Sequence, residues 1–149
     1  MSAATHEVTG VSAGVYAEIQ HFYARQVNFL DNCLAEGFAA TFTEDGELIH
    51  ASSPEPVRGR SELLDAARRS ISALPPGAVR RHWFNMIVAD PDGEDRFRAV
   101  HYALVITTQP GGQPVIGAAC VGHDILVRDP EDGRLLVLSR RIENDNAPR

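Results

Sequence analysis

The chain contains no lysine: all 14 of its basic residues are arginine. A Schiff-base mechanism through a lysine amine is therefore excluded. Only two cysteines occur, Cys33 and Cys120, far apart and outside any CxxC pattern, which supports neither a disulfide framework nor a thiolate zinc site. Both are expected to be reduced and buried. No apolar run approaches a membrane span, and the first ten residues have neither a basic start nor an apolar core, so no membrane contact is expected and the cytoplasm is the expected compartment. No short basic run offsets the formal net charge of −6, so nucleic acid is not an expected partner. Sequence-local catalytic signatures are missing as well: there is no GxSxG, GxGxxG, Walker loop, HExxH or EF-hand pattern. Any active site must be assembled across the fold.

What is present is the composition of one globular domain spanning residues 1–149, with 44% hydrophobic and 23% charged content and frayed ends expected at 1–10 and 144–149. A chain of this size buries roughly 70% of the surface its unfolded form exposes, enough for a core without disulfides or a structural metal.

From Ser12 to Leu30 the apolar residues Val15, Tyr16, Ile19, Phe22, Tyr23, Val27 and Leu30 recur every three or four positions, the period of a helix with one buried stripe. Asp31-Asn32 interrupts it, and Leu34 to Phe42 carries a second short stripe. After a turn at Glu44-Asp45-Gly46, residues Glu47 to Ala51 read as a short strand, and Ser52 to Gly59 as loop. Ser61 is the expected N-cap of a third helix that ends at Pro75-Pro76. Four strand-like segments follow: Val79 to Asp90, Arg96 to Thr108, Val115 to Arg128 and Arg134 to Glu143, separated by Pro- and Gly-containing turns. Long strands joined by short turns make an antiparallel meander, and helices confined to the first half must cover one of its faces. The class is α+β, in the order ααβαββββ.

The six histidines are the informative residues, because imidazole titrates near neutrality. His6 lies in the expected frayed start and His21 on the solvent side of the first helix. His82 is in phase with Phe84, Met86 and Val88, His101 with Phe97, Ala99, Ala103 and Val105, and His123 with Val121, Ile125 and Val127, while His50 ends the early strand. Each alone reads most simply as a core residue with one hydrogen bond. Four on neighbouring strands could instead project into one dry pocket. Zinc is the weaker reading, since no HxH pair occurs and the spacing does not force three ligands to converge. Asp31 is the one carboxylate at the exit of an apolar stripe. It either caps the second helix or pairs with an imidazole, where it would fix the tautomer and hold the imidazolium that forms on proton uptake. Asp124, opposite in phase to His123, is expected to face outward. Of Arg140 and Arg141, on opposite faces of the last strand, one could point inward and would then need a carboxylate or a substrate anion; the simpler reading is a solvated strand end.

The helix with a late Asp31, the segment Glu36-Gly37-Phe38-Ala39-Ala40-Thr41-Phe42-Thr43-Glu44-Asp45-Gly46-Glu47-Leu48, and Arg81-His82-Trp83-Phe84-Asn85 opening the meander resemble the SnoaL-like group of the nuclear transport factor two-like superfamily, which includes scytalone dehydratase. The resemblance spans Val15 to Ile142. It implies a cone, a strongly bent sheet wrapped around three helices with a pocket inside, and frequent dimerisation through the outer sheet face. It also implies cofactor-free and metal-free cyclase or dehydratase chemistry on polyketide-like carbonyl compounds in natural-product biosynthesis. The group's Asp matches Asp31 and the His of its first long strand matches His82; its second His matches His123, with His101 as the substitute. Leu30 and His50 stand where the dehydratase has tyrosines. Tyr16, Tyr23, His50, Trp83, Phe84, Asn85, His101 and Arg140 are the candidate substrate contacts. A non-catalytic ligand-binding or structural subunit and an epoxide-opening hydrolase or cyclase are the rival readings. Both faces of the His101 strand are apolar, with Val100, Tyr102, Leu104 and Ile106 on the far side, so a homodimer through that face is expected.

Overall fold

A computed structural model describes residues 10–51, 53 and 55–148, so His6, nearly all of the expected frayed start, Ser52, Pro54 and Arg149 lie outside the described residues. The first helix, α1 (Ala13–Asp31), begins where the Ser12 hydroxyl accepts the amide N–H of Val15 at 3.2 Å, satisfying one of the donors that a helix start leaves open. Its stripe buries Ile19, Tyr23 and Val27 as the helical period requires, and Gln26 joins them fully buried. A one-turn helix, α2 (Ala35–Ala39), follows, and the ring of Phe38 packs edge-on against Phe42, 5.4 Å between centroids.

The remaining elements are β1 (Phe42–His50), β2 (Val57–Arg58), α3 (Arg60–Ser72), β3 (Val79–Pro91), β4 (Arg96–Thr108), β5 (Val115–Arg128) and β6 (Leu135–Asn144). They form one curved six-stranded sheet in the order β2-β1-β6-β5-β4-β3. The four long strands are the expected antiparallel meander. Two departures follow from pairing that the sequence does not announce. β2 is a short extra strand paired antiparallel with β1, giving the order ααββαββββ, and β1 runs parallel to β6, so the sheet is not wholly antiparallel.

The second stripe does not continue as helix to Phe42. Thr41 accepts the amide N–H of Val137 through its carbonyl and Phe42 pairs with Val137, so docking on β6 draws this segment into the sheet. Glu44-Asp45-Gly46, expected as a turn, is instead the irregularity between the Phe42 and Glu47 pairings. The N-cap of α3 is Gly59 rather than Ser61. Its φ of 86° suits glycine, no side chain caps the helix, and the carboxylate of Glu62 accepts the amide N–H of Arg58 instead.

The core lies between the helices and the inner sheet face and includes Ile19, Tyr23, Phe38, Phe42, Leu63, Leu126, Leu135 and Val137. Each large apolar side chain buried this fully contributes about 1.5–3 kcal/mol relative to exposure. In β3 the pairing shifts between Asn85 and Val88, where Met86 adopts φ 52°. This bulge reverses the alternation, so that Ile87 and Ala89 turn inward while Met86 and Val88 are exposed. Met86 is therefore not a wall of the interior.

Candidate active site

Asp31 ends α1 with its carboxylate directed at β3, not at the N-terminus of α2, which has no side-chain cap. One oxygen, Oδ2, accepts the backbone N–H of His82 at 3.0 Å, and the other, Oδ1, lies 2.6 Å from Nδ1 of the same residue. Both side chains are nearly withdrawn from water, at 8% and 14% exposure. A carboxylate held at two points cannot swing, and its short contact places the ring proton on Nδ1, leaving Nε2 with the lone pair. The pair sits beside a cavity of about 280 Å³, near the lower end of the size range of ligand pockets. His82 contributes to its wall together with Leu30, Phe38, Leu48, His50, Leu63, Phe84, His101, Val105, Arg140 and Ile142.

The choice between the two later histidines is resolved by the register of β5. The inward row is Ala118, Cys120, Gly122, Asp124 and Leu126, so His123 points outward, exposed, with Nε2 3.8 Å from Glu143. The expected role of His123 in the pocket is thus corrected, and His101 is the histidine that reaches it. Its ring is 1% exposed and stacks on Phe84 at 4.4 Å between centroids and 19° between planes, with Tyr23 on another side at 4.8 Å. Gly122 is the partner of His101 across the ladder. A Cβ at position 122 would fall inside van der Waals contact of the ring atoms Cε1 and Nε2, so only glycine leaves room for the imidazole. Gly122→Ala is expected to destabilise the fold by about 1–3 kcal/mol, read from urea unfolding, because the ring must leave its stacked position.

Asp124 does not face outward as expected. It is fully buried and joins a network that sequence reasoning did not assemble. Arg140 donates to it through Nε at 2.9 Å to Oδ1 and through Nη2 at 2.7 Å to Oδ2, and the Tyr23 hydroxyl donates to Oδ2 at 2.9 Å. Nη2 of Arg140 also donates to the Gln26 side chain at 2.7 Å, whose amide in turn donates to Thr41 at 2.7 Å. Burial alone would raise the pKa of Asp124, but the charge and hydrogen bonds of Arg140 outweigh it and hold the carboxyl well below the usual range. Burial pushes Tyr23 well above its ordinary value and the charge of Asp124 adds to this, so the phenol stays neutral. Burial lowers the pKa of His101 and overrides the attraction of Asp124, whose Oδ2 lies 3.6 Å from Nε2, so the ring is neutral. Neither ring nitrogen of His101 has a hydrogen-bond partner among the described residues. Gln26 was missed altogether; its place three residues after Tyr23 on the apolar stripe was the available signal.

The other candidates divide. His50, Phe84 and Arg140 line the cavity. Tyr16 is half-buried against the core, outside the cavity wall, and Tyr23 supports His101 and Asp124 from behind it. Trp83 and Asn85 alternate with His82 and Phe84 and are exposed on the far face of β3, so neither is a cavity contact. Phe22 and Phe97 pack against the core. Cys33 is exposed, contrary to expectation, and Cys120 is buried in the cavity wall. Among the described residues no three His, Cys, Asp or Glu side chains are grouped to hold a metal ion, and no helix is long and apolar enough to cross a membrane.

The SnoaL-like domain matches this chain over residues 12–141. Among solved structures, ActVI-ORFA from Streptomyces coelicolor is 34% identical, with a TM-score of 0.84 over 91% of this chain and 100% of that one. Aln2 from a Streptomyces species is 32% identical, with a TM-score of 0.86 over 93% and 96%. A Catenulispora acidiphila protein in complex with S-DNPA is 38% identical, with a TM-score of 0.81 over 91% and 96%. No functionally curated protein matches the chain.

Proposed function

The chain belongs to the SnoaL-like family, and from that premise we propose that it is a cofactor-independent dehydratase or cyclase acting on a small hydrophobic, polyketide-like carbonyl compound in natural-product (antibiotic) biosynthesis in the cytoplasm. The observation that carries the proposal is the Asp31–His82 pair, whose imidazole forms part of the wall of a mostly apolar cavity. Nε2 of His82 removes a proton alpha to the carbonyl, and Asp31 holds the imidazolium that results. The electron pair of the C–H bond moves into the enolate, whose oxygen is held by a donor of the wall such as His50. The imidazolium then protonates a departing β-hydroxyl, which leaves as water and yields the conjugated carbonyl compound. With an internal hydroxyl adding to that product, the same groups close a ring. The second histidine in this scheme is His101 and not His123.

Conversion of model β-hydroxy ketones to conjugated enones, followed by absorbance with purified protein, tests the reading. Enone formation supports it; ligand binding with no turnover across a panel of such compounds supports the rival reading, a binding or structural subunit. That rival draws on the absence of a tyrosine among the cavity-lining residues described. The epoxide-opening reading needs an acidic carboxyl in the cavity. Asp124 does not supply one, because Arg140 holds it ionised and it is not part of the cavity wall.

The proposal includes a symmetric homodimer. Trp83, Met86 and Val88 on β3 are each at least 60% exposed, and Tyr102 of β4 is exposed beside Asn85 on the same outer face. A contiguous apolar patch of this kind fits a second copy of the chain. Sedimentation equilibrium is expected to give twice the chain mass, and Trp83→Glu with Tyr102→Glu the monomer mass. A wild-type monomer at high concentration rejects the dimer.

A further inference from the structure

The residues that α3 gives to the cavity wall are Leu63, Ala66, Ala67 and Ser70, the i, i+3, i+4, i+7 stripe of one helical face. Ser70 is the one polar side chain on that stripe. Its hydroxyl oxygen accepts from Nη2 of Arg80 at 3.1 Å, and the same nitrogen donates to the Ser70 carbonyl, also at 3.1 Å. The bond to the carbonyl closes the end of the helix, since the amide N–H of Leu74 donates to Ile71 and not to Ser70. The bond to the hydroxyl does something else. A lone pair of Oγ is taken by a cation, and among the described residues none accepts the hydroxyl hydrogen, which is left for a ligand in the cavity that Ser70 lines. Arg80 reaches Ser70 from β3, where it alternates in phase with His82 and Phe84, so that it lies about 7 Å from the base along the strand. Ser70 is its hydrogen-bond partner among the described residues, and no carboxylate pairs with it there. Its charge acts on the hydroxyl and on the partly negative end of α3 with no ion pair to cancel it.

We infer that the Ser70 hydroxyl, polarised by Arg80, is the wall donor that holds the carbonyl oxygen of an enolisable ketone as it becomes an enolate oxygen. This deepens the function proposed above and rests on it for the base. His82 takes the α-proton, the electron pair of the C–H bond becomes the carbon–carbon π bond of the enolate, and the negative charge gathers on oxygen. The Ser70 proton remains on Oγ throughout. Its hydrogen bond strengthens as the oxygen gains charge, so it favours the transition state over the bound ketone. Arg80 acts through Ser70 and is a positioning residue: it draws the hydroxyl toward the strand that carries His82 and, by withdrawing electron density from Oγ, makes the O–H a stronger donor. An uncharged side chain at position 80 would leave both the helix end and the hydroxyl without their cation.

The probe is 2-acetylnaphthalene labelled with ¹³C at its carbonyl, whose NMR signal moves downfield as the oxygen accepts a stronger hydrogen bond, whether or not the protein reacts with it. Bound to the wild-type protein, the signal is expected at or downfield of its position in water. Ser70→Ala puts a better helix former on α3, so the fold should hold. It is expected to move the signal upfield, toward its position in hydrocarbon solvent, and to slow exchange of the methyl hydrogens with D₂O by about 10²-fold, with affinity changed little. Ser70→Thr keeps the hydroxyl and should restore both. Arg80→Gln removes the charge and should move both in the direction of Ser70→Ala by a smaller amount; circular dichroism checks each fold. His82→Gln is expected to abolish exchange and leave the signal in place, which separates the donor from the base. Wild-type protein that binds the ketone without exchange, with a signal that still moves in Ser70→Ala, contradicts the proposed reaction and supports the donor. A signal at the same position in wild type and Ser70→Ala overturns the inference, as does exchange by Ser70→Ala at the wild-type rate or a ketone that fails to bind up to its solubility.

Discussion

Replacement of His82 by Gln is expected to lower turnover of a β-hydroxy carbonyl substrate by about 10²- to 10⁴-fold, the usual contribution of a positioned general base. The fold should survive, because glutamine can still donate toward Asp31 and the backbone N–H of residue 82 keeps its acceptor in Oδ2. Asp31→Asn is expected to act through His82. An amide at position 31 no longer holds the imidazolium by charge, and when its NH₂ group faces the ring it favours the tautomer with Nε2 protonated, the wrong one for a base directed at the cavity. Its loss in kcat should therefore approach that of His82→Gln, and the two losses should not add, since both remove one device. If both variants turn over at the wild-type rate with intact folds, the pair is structural and the acid-base account is wrong.

The second large effect concerns stability. Arg140→Met leaves the carboxylate of Asp124 ionised, wholly buried and without its cation, a change expected to cost about 3–5 kcal/mol in urea unfolding. Replacing both partners by Asp124→Leu with Arg140→Met should recover part of that loss, limited by the Tyr23 hydroxyl and the Gln26 carbonyl that then lose their partners. A single variant as stable as wild type would contradict the network. Its pH dependence follows from two lowered pKa values. His101 is neutral in the fold and titrates below its ordinary 6.5, so the unfolded chain takes up the proton first and stability begins to fall as pH drops below about 6.5. Asp124 titrates below its ordinary 3.8, so the stability it adds is complete above about pH 4 and is lost as pH falls further. His101→Asn should remove the first decline and leave the second.

Helical period and turn chemistry made α1 and the four-strand meander legible in the sequence, since each depends on local spacing. Residue types left Asp31 open between capping α2 and pairing with an imidazole, and the family resemblance was what implied His82. The assignment of His101 against His123 was not legible. Alternation reports two faces without saying which is inside, and around His123 the outer row of β5, with Val121, Ile125 and Val127, is more apolar than the part of the inner row that precedes Leu126, namely Ala118, Cys120, Gly122 and Asp124. That stretch of the inner row is small and polar because it leaves volume for a cavity and supplies a carboxylate to Arg140. The usual inference from apolar to buried therefore pointed the wrong way. The bulge at Met86 hid the inward turn of Ile87 and Ala89 for a related reason: one residue at positive φ reverses the phase of the rest of the strand. Gln26, Asp124 and Arg140 lie on three elements, and nothing in their sequence separation brings them together.

In the proposed reaction Nε2 of His82 takes a proton from carbon inside the cavity. Exchange of the α-hydrogens of a bound, non-eliminating ketone analogue with D₂O, followed by NMR, tests it without requiring the natural substrate. Exchange is expected to be catalysed by the wild-type protein and to fall to the uncatalysed rate in His82→Gln with the analogue still bound. Exchange by that variant at the wild-type rate would contradict it.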